Sequence, residues 1–215
     1  MQQQNLKIAI QKKGHLRDES LLFLRNLGFD FDMEDKKLST TCRKTGNQII
    51  FLRDDDIPTY INKNLVDFGI IGRDVLEERA ETTCISKNLT FSDCTLVIAV
   101  PQNSDITSVR QLQNKTIATS YPNIFKRFLK QQGIYANIVE LSGSVEIAPS
   151  LGMADAVCDI TQTGKTLRDN GLIIIDKVMD SQAILIESPY ANEKKKEFLE
   201  LIKKYDNTRD RQTDN

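Results

Sequence analysis

The chain switches repeatedly between two hydrophobic periods, and no other feature of its sequence constrains the fold as much. Apolar runs of strand length recur at Leu6–Ile10, Ile49–Leu52, Val66–Ile71, Leu96–Val100, Thr116–Thr119, Ile138–Leu141, Ala156–Ile160, Leu172–Ile175 and Ala183–Ile186. Between them lie stretches whose apolar residues repeat at helical spacing. One opens at Asp18, sets Leu21, Leu22, Leu24 and Leu27 on one face and closes at Gly28. A second is capped by Asp55 or Asp56 and carries Pro58 in its first turn, where a missing N–H costs nothing. A third begins at Asp74–Glu78, and a fourth spans Pro122–Gln132, burying Ile124, Phe125, Phe128 and Leu129 before Gly133 stops it. Asn192–Tyr205 predicts a lysine-rich helix, followed by a frayed polar tail over Asp206–Asn215. Strands that alternate with helices at this spacing predict an α/β protein with largely parallel sheets.

Composition narrows the function. A hydrophobic fraction of 40% supports a real core, and 215 residues make one large domain or two small ones. Lysine and arginine total 29 against 30 acidic residues, a net charge of -1 with no long-range attraction for nucleic acid or an anionic membrane. No apolar run approaches the roughly 20 residues of a membrane helix. Met1–Asn5 has neither a basic leader nor an apolar segment, so no secretory signal is expected. Cys42, Cys84, Cys94 and Cys158 show no C-x-x-C spacing and His15 is the single histidine, which argues against a zinc site and for reduced thiols in the cytoplasm.

Four segments could carry chemistry. In Ala156–Leu167 an apolar strand delivers Asp159, and Thr161, Gln162, Thr163, Gly164, Lys165 and Thr166 then run into a helix start. Such a loop can aim N–H groups and hydroxyls at one anion, with Asp159 placed to accept hydrogen bonds from sugar hydroxyls. It can equally be a polar turn with an N-cap. Gly164-Lys165-Thr166 is not the end of a Walker A loop, because Asp159 stands where that motif needs glycine. Lys12-Lys13-Gly14-His15 follows the first strand, where α/β sheets bind ligands, and suits either a polyphosphate or a solvated turn. Arg53 followed by Asp54, Asp55 and Asp56 offers an anion contact beside a helix cap, or a metal site. Gly143-Ser144-Val145-Glu146 is a second glycine turn, with a carboxylate in the first helical turn.

Taken in order, Ile8–Gly14, Leu52–Pro58, Val66–Gly72 with Asp74–Glu78, Ile117–Pro122, Gly143–Pro149 and Asp155–Leu167 resemble the ATP phosphoribosyltransferase family, which opens histidine biosynthesis. The resemblance runs from about residue 6 to 187. It implies a two-lobed fold like the type II periplasmic binding proteins, each lobe a mostly parallel sheet flanked by helices. Lobe I would be residues 1–92 plus 178–215. Lobe II would be 93–177, carrying the phosphoribosyl loop, with no C-terminal regulatory domain. The implied reaction has adenine N1 of ATP displace pyrophosphate from C1 of phosphoribosyl pyrophosphate, with Mg²⁺.

By the same resemblance, Thr161 to Thr166 hold the donor's 5′-phosphate, with Asp159 and Glu146 on its ribose. Arg53 and Lys12 act on the departing pyrophosphate, and Lys13, Gly14, His15, Asp74 and Tyr121 meet ATP. The metal ligands are left unassigned. His15 and Lys37 stand where the family commonly has arginine. Other implied properties are a homodimer, AMP as a competitive inhibitor and a histidyl-tRNA-synthetase-like regulatory subunit in short-form members. Two other readings use the same architecture: a non-catalytic two-lobed binding or sensor domain, and a phosphoribosyltransferase with another acceptor base.

Overall fold

A computed structural model describes residues 5–32, 37–80, 83–190 and 192–213, the side chains of 209–213 excepted. The chain forms two compact units. One comprises Met1–Leu76, Glu81–Ser92 and Ala183–Asn215, the other Glu77–Ala80 and Asp93–Gln182.

In the first unit, β1 (Lys7–Gln11) lies between β3 (Gln48–Leu52) and β4 (Phe68–Gly72), and all three are parallel. Outside them run β2 (Ser39–Thr41), β5 (Cys84–Asn88) and β11 (Ala183–Glu187), giving the order β2-β3-β1-β4-β11-β5. The sheet is buried on both faces, which is why its central strands read as continuous apolar runs. Alternation still assigns the faces. Ile8 and Ile10 join Leu24, Phe68 and Phe198 in one core layer, while Ala9 joins Ile57, Ile61 and Ile184 in the other. The helices supplying these layers include α1 (His15–Asn26), α2 (Ile57–Asn62) and α6 (Glu193–Thr213).

The second unit repeats the plan. β7 (Thr116–Thr119) lies between β8 (Asn137–Glu140) and β9 (Ala156–Thr161), all parallel, with β6 (Cys94–Pro101) and β10 (Leu172–Ser181) beyond β9. Helix α4 (Pro122–Gln132) buries Ile124, Phe125 and Leu129, as its spacing predicts, with Phe128 half-buried beside them. Helix α3 (Arg73–Arg79) begins in the first unit and ends in the second. Both sheets therefore place an antiparallel strand beside the same three-stranded parallel set, although no tandem repeat is visible in the sequence.

Several expectations need correction. The sheets are mixed rather than mostly parallel: β2–β3, β4–β11, β11–β5, β6–β9 and β6–β10 all pair antiparallel. Parallel pairing needs a crossover, and it is found only where the chain makes one. β10 continues to Ser181, so the chain changes unit at Gln182 and Ala183 rather than after residue 177. Helix α1 starts at His15 instead of Asp18, because Gly14, at φ 94°, turns the chain directly into it. Asp54–Asp56 form a 3-10 turn ahead of α2, and Asp56 at its N-cap makes no side-chain capping bond.

The helix runs further than expected, since α6 continues to Thr213, and Asp214 and Asn215 of the expected tail lie outside the described residues. Tyr205 packs edge-on against Phe23, and Asp206 pairs with Lys87, so tertiary contacts hold this turn in place. Buried Lys195 anchors the same helix, its ammonium donating to the Ser188 and Tyr190 carbonyls at 2.5 and 2.9 Å. Among the described residues, no helix is long and apolar enough to cross a membrane.

Candidate functional site

In each unit the chemistry-bearing residues lie at the C-terminal ends of the three parallel strands. Crossover topology brings these loops to one sheet edge.

In the first unit, the Lys12 N–H donates to the Leu52 carbonyl at 2.7 Å, and Gln11 Nε2 reaches Asp54 at 3.3 Å. These bonds put the Lys12–His15 loop beside the Arg53–Asp56 turn. Lys12, Lys13, Gly14 and His15 are exposed, and His15 Nε2 lies 3.7 Å from Glu19 on the next helical turn. Arg53 is exposed on extended backbone just before Asp54, Asp55 and Asp56. Its cation is therefore available to an outside anion. Asp74, in the first turn of α3 just after β4, is only 6% exposed. Among the described residues, no group of three or more His, Cys, Asp or Glu side chains is arranged to hold a metal ion, so Asp54, Asp55 and Asp56 form no such cluster.

In the second unit, Ser120 Oγ donates to the Leu141 carbonyl at 2.7 Å, joining the loops after β7 and β8. Tyr121 follows, half-buried, its N–H donating to Thr119 Oγ1 at 2.9 Å. Glu146 lies in a 3-10 turn entered through Ser144, at φ 50°. Burial lifts the Asp159 carboxyl to about 6. Like-charge repulsion from Glu146 adds to the rise, and the Ile160 N–H, donating to Asp159 Oδ1 at 2.8 Å, offsets part of it. Asp159 and Glu146 thus share one electrostatic neighbourhood. Cys158, just before Asp159, is fully buried, and burial pushes its thiol well up, so it is no nucleophile near neutral pH.

The loop after β9 is held by its own hydroxyls. Thr161 Oγ1 accepts the Gly164 N–H at 2.8 Å, and Thr163 Oγ1 accepts the Lys165 N–H at 3.3 Å. Gly164 sits at φ 70°, a left-handed conformation that glycine adopts without steric cost, and α5 (Lys165–Asp169) starts behind it. Because Thr161 Oγ1 accepts a bond from within the loop, its own O–H remains available as a donor. The Lys165 ammonium lies 2.7 Å from Asp169, and Gln162 and Thr166 are exposed.

The structure thus groups Lys12, Lys13, Gly14, His15, Arg53 and Asp74 at one edge of the first unit. It groups Tyr121, Glu146, Asp159 and the Thr161–Thr166 loop at one edge of the second. Sequence reasoning missed Arg168, whose Nη1 donates to the Thr163 carbonyl at 2.9 Å. Its place one helical turn beyond the loop glycine is a position that a solvated cation could equally hold, so the sequence alone does not single it out.

Similarity to known proteins identifies the family. A family model described as HisG, ATP phosphoribosyltransferase, matches residues 53–207. The ATP phosphoribosyltransferase of Cytophaga hutchinsonii is 41% identical over 92% of this chain and 69% of its own length. That of Parabacteroides distasonis is 37% identical over 92% of this chain and 70% of its own. Among solved structures, a chain of the ATP phosphoribosyl transferase (HisG:HisZ) complex from Thermotoga maritima is similar, with a TM-score of 0.77 and 30% identity over 93% of this chain and 98% of that one. Tv2483 bound to L-arginine shares the fold at a TM-score of 0.66 and 15% identity, covering 97% of this chain and 86% of its own. Motif order, the two helix-flanked sheets and these similarities lead to one conclusion: the chain belongs to the ATP phosphoribosyltransferase family.

Proposed function

We propose that this chain joins ATP to the phosphoribosyl group of phosphoribosyl pyrophosphate, giving N1-(5-phosphoribosyl)-ATP and pyrophosphate, the first step of histidine biosynthesis. The observation that carries the assignment is the loop after β9. There Asp159 precedes a glycine turn bearing three threonine hydroxyls, in a chain whose relatives carry this enzyme's name.

Adenine N1 has a free lone pair, so its attack on C1 needs no strong base. The barrier lies in bringing two polyanions together and in stabilising pyrophosphate as it leaves an oxocarbenium-like sugar. The Thr161–Thr166 loop binds the 5′-phosphate, while Asp159 and Glu146 accept hydrogen bonds from the ribose hydroxyls. Arg53 and Lys12 are the exposed cations that meet the leaving group. Lys13, Gly14, His15, Asp74 and Tyr121 contact ATP, and AMP competes there because it carries the same adenosine.

Mg²⁺ is the metal ion that the family resemblance implies. Such an ion would be held by one or two carboxylates together with substrate oxygens. Asp159 and Glu146, which share one electrostatic neighbourhood, are the carboxylates that would hold it. The ion would supply positive charge for the oxygens that become pyrophosphate.

We further read the enzyme as cytoplasmic and homodimeric, working with a regulatory subunit in the place that HisZ takes in the Thermotoga maritima complex. Incubation with ATP, phosphoribosyl pyrophosphate and Mg²⁺ tests the function. Pyrophosphate release together with the ultraviolet change of an N1-alkylated adenine is expected, and release without that change would point to another acceptor.

A further inference from the structure

The peptide group between Thr163 and Gly164 is gripped from both sides. Its N–H donates to Thr161 Oγ1 at 2.8 Å, and its carbonyl accepts from Arg168 Nη1 at 2.9 Å. The guanidinium rests against the glycine so closely that a Cβ at position 164 would lie 2.8 Å from Nη1. The two cations of this segment therefore differ in role. Lys165 points its ammonium at Asp169, whereas Arg168, among the described residues, makes no ion pair and spans the loop instead.

A peptide plane followed by glycine is the kind most able to flip, because glycine tolerates both signs of φ. A flip here would exchange N–H for C=O. It would turn the Thr163 carbonyl toward the side that Thr161 now faces, setting a negative dipole end against any anion in the loop. It would also release the Thr161 hydroxyl from its present orientation.

We propose that Arg168 is a positioning residue for the sugar donor, locking the Thr163–Gly164 peptide in the orientation that lets the loop accept a phosphate monoester. It acts through this peptide rather than by touching the reacting atoms. The inference rests on the loop being the phosphate site, so its test reads binding and turnover separately.

The variants are Arg168→Met, which keeps the stem and removes the donors, and Arg168→Lys, which restores one charged donor. Arg168 is exposed, so both should fold, and circular dichroism checks this. In steady-state assays, Arg168→Met should raise KM for phosphoribosyl pyrophosphate about 10- to 100-fold, the scale of one lost charge-assisted hydrogen bond. kcat and KM for ATP should stay within about twofold, and Arg168→Lys should recover most of the loss. Titration with ribose 5-phosphate, followed by calorimetry, should show the same ranking without any reaction.

If the parent chain turns over while Arg168→Met leaves KM for the sugar donor unchanged, the inference falls and the enzyme assignment stands. Equal losses in both KM values and kcat would mark a general structural role and also overturn it. If the parent chain makes no product but binds ribose 5-phosphate in an Arg168-dependent way, the positioning role holds and the proposed reaction is wrong.

Discussion

The Glu78 carboxylate accepts the backbone N–H of Asn123 at 2.8 Å, and within the same second unit it also takes that of Ile124 at 2.9 Å. The Asn123 side-chain amide returns a bond to the Glu78 carbonyl at 3.1 Å. The end of α3 thereby caps the start of α4, where Pro122 has no N–H to offer and the helix dipole favours a negative charge. Without this cap the turn that carries Tyr121 would begin with unsatisfied donors.

Glu78→Ala should therefore destabilise the protein by about 1–2 kcal/mol, the range for losing a helix cap with its dipole contribution. Urea denaturation followed by circular dichroism reads the shift in midpoint. Glu78→Gln, which keeps an acceptor oxygen, should lose less. Equal stability of the alanine variant and the parent would mean that solvent satisfies these donors just as well.

Gly164→Val should impair use of the sugar donor far more than use of ATP. At φ 70° a β-branched residue is strained, and its Cβ would meet the Arg168 guanidinium at 2.8 Å. KM for phosphoribosyl pyrophosphate should rise well above that for ATP. Parallel changes in both constants would detach the loop from the sugar phosphate.

Arg53→Ala should lower kcat by roughly 10²–10³, the usual cost of losing one donor aimed at transition-state charge. Stability should be preserved, since the side chain is exposed. An unchanged kcat in the folded variant would leave pyrophosphate departure to Lys12 and the metal ion.

Asp159 links pH to both stability and use of the sugar donor. Its carboxyl titrates near 6 in the folded chain, against an ordinary value of 3.8. Between these values the folded state binds more protons than the unfolded one, so the contribution of this group to stability falls as pH rises and is fully lost above about 6. Asp159→Asn should accordingly stabilise the chain at pH 7 by about 1–3 kcal/mol and make no difference near pH 3. The ionised form is the better acceptor for ribose hydroxyls and Mg²⁺, so kcat/KM for the sugar donor should fall as pH drops through about 6. A pH profile with no inflection in that region would take Asp159 out of the site.

Much of the scaffold is legible in the sequence because the central strands are buried on both faces. Ile8–Ile10, Ile70–Ile71, Leu96–Val100 and Ala156–Cys158 announce themselves as apolar runs. The strands that went unseen, Ser39–Thr41 and Cys84–Asn88, are polar or exposed and lie at the two edges of the first sheet, where no alternation is required. Strand direction is also hidden, because Ala183–Glu187 has the same composition whether it runs with or against its neighbour. The loop residues Asp159 to Thr166 could be read because glycine and hydroxyls have few reasons to cluster after a buried strand. Arg168 could not, since a lone arginine on a short helix looks like any solvated cation until its bond to Thr163 is seen.

β11 is the last strand of the two sheets to be synthesised, yet it lies inside the first sheet, between β4 and β5. On the ribosome, β5 therefore emerges with no partner strand beside it, and it stays so for about ninety further residues. The stretch Asp93–Gln182, by contrast, already contains every strand of its own sheet before Ala183 is made. The order of synthesis thus favours a second half that matures while the first still waits for its closing strand. Emergence of Ala183–Glu187, rather than of the N-terminal residues, is what completes the older part of the nascent chain.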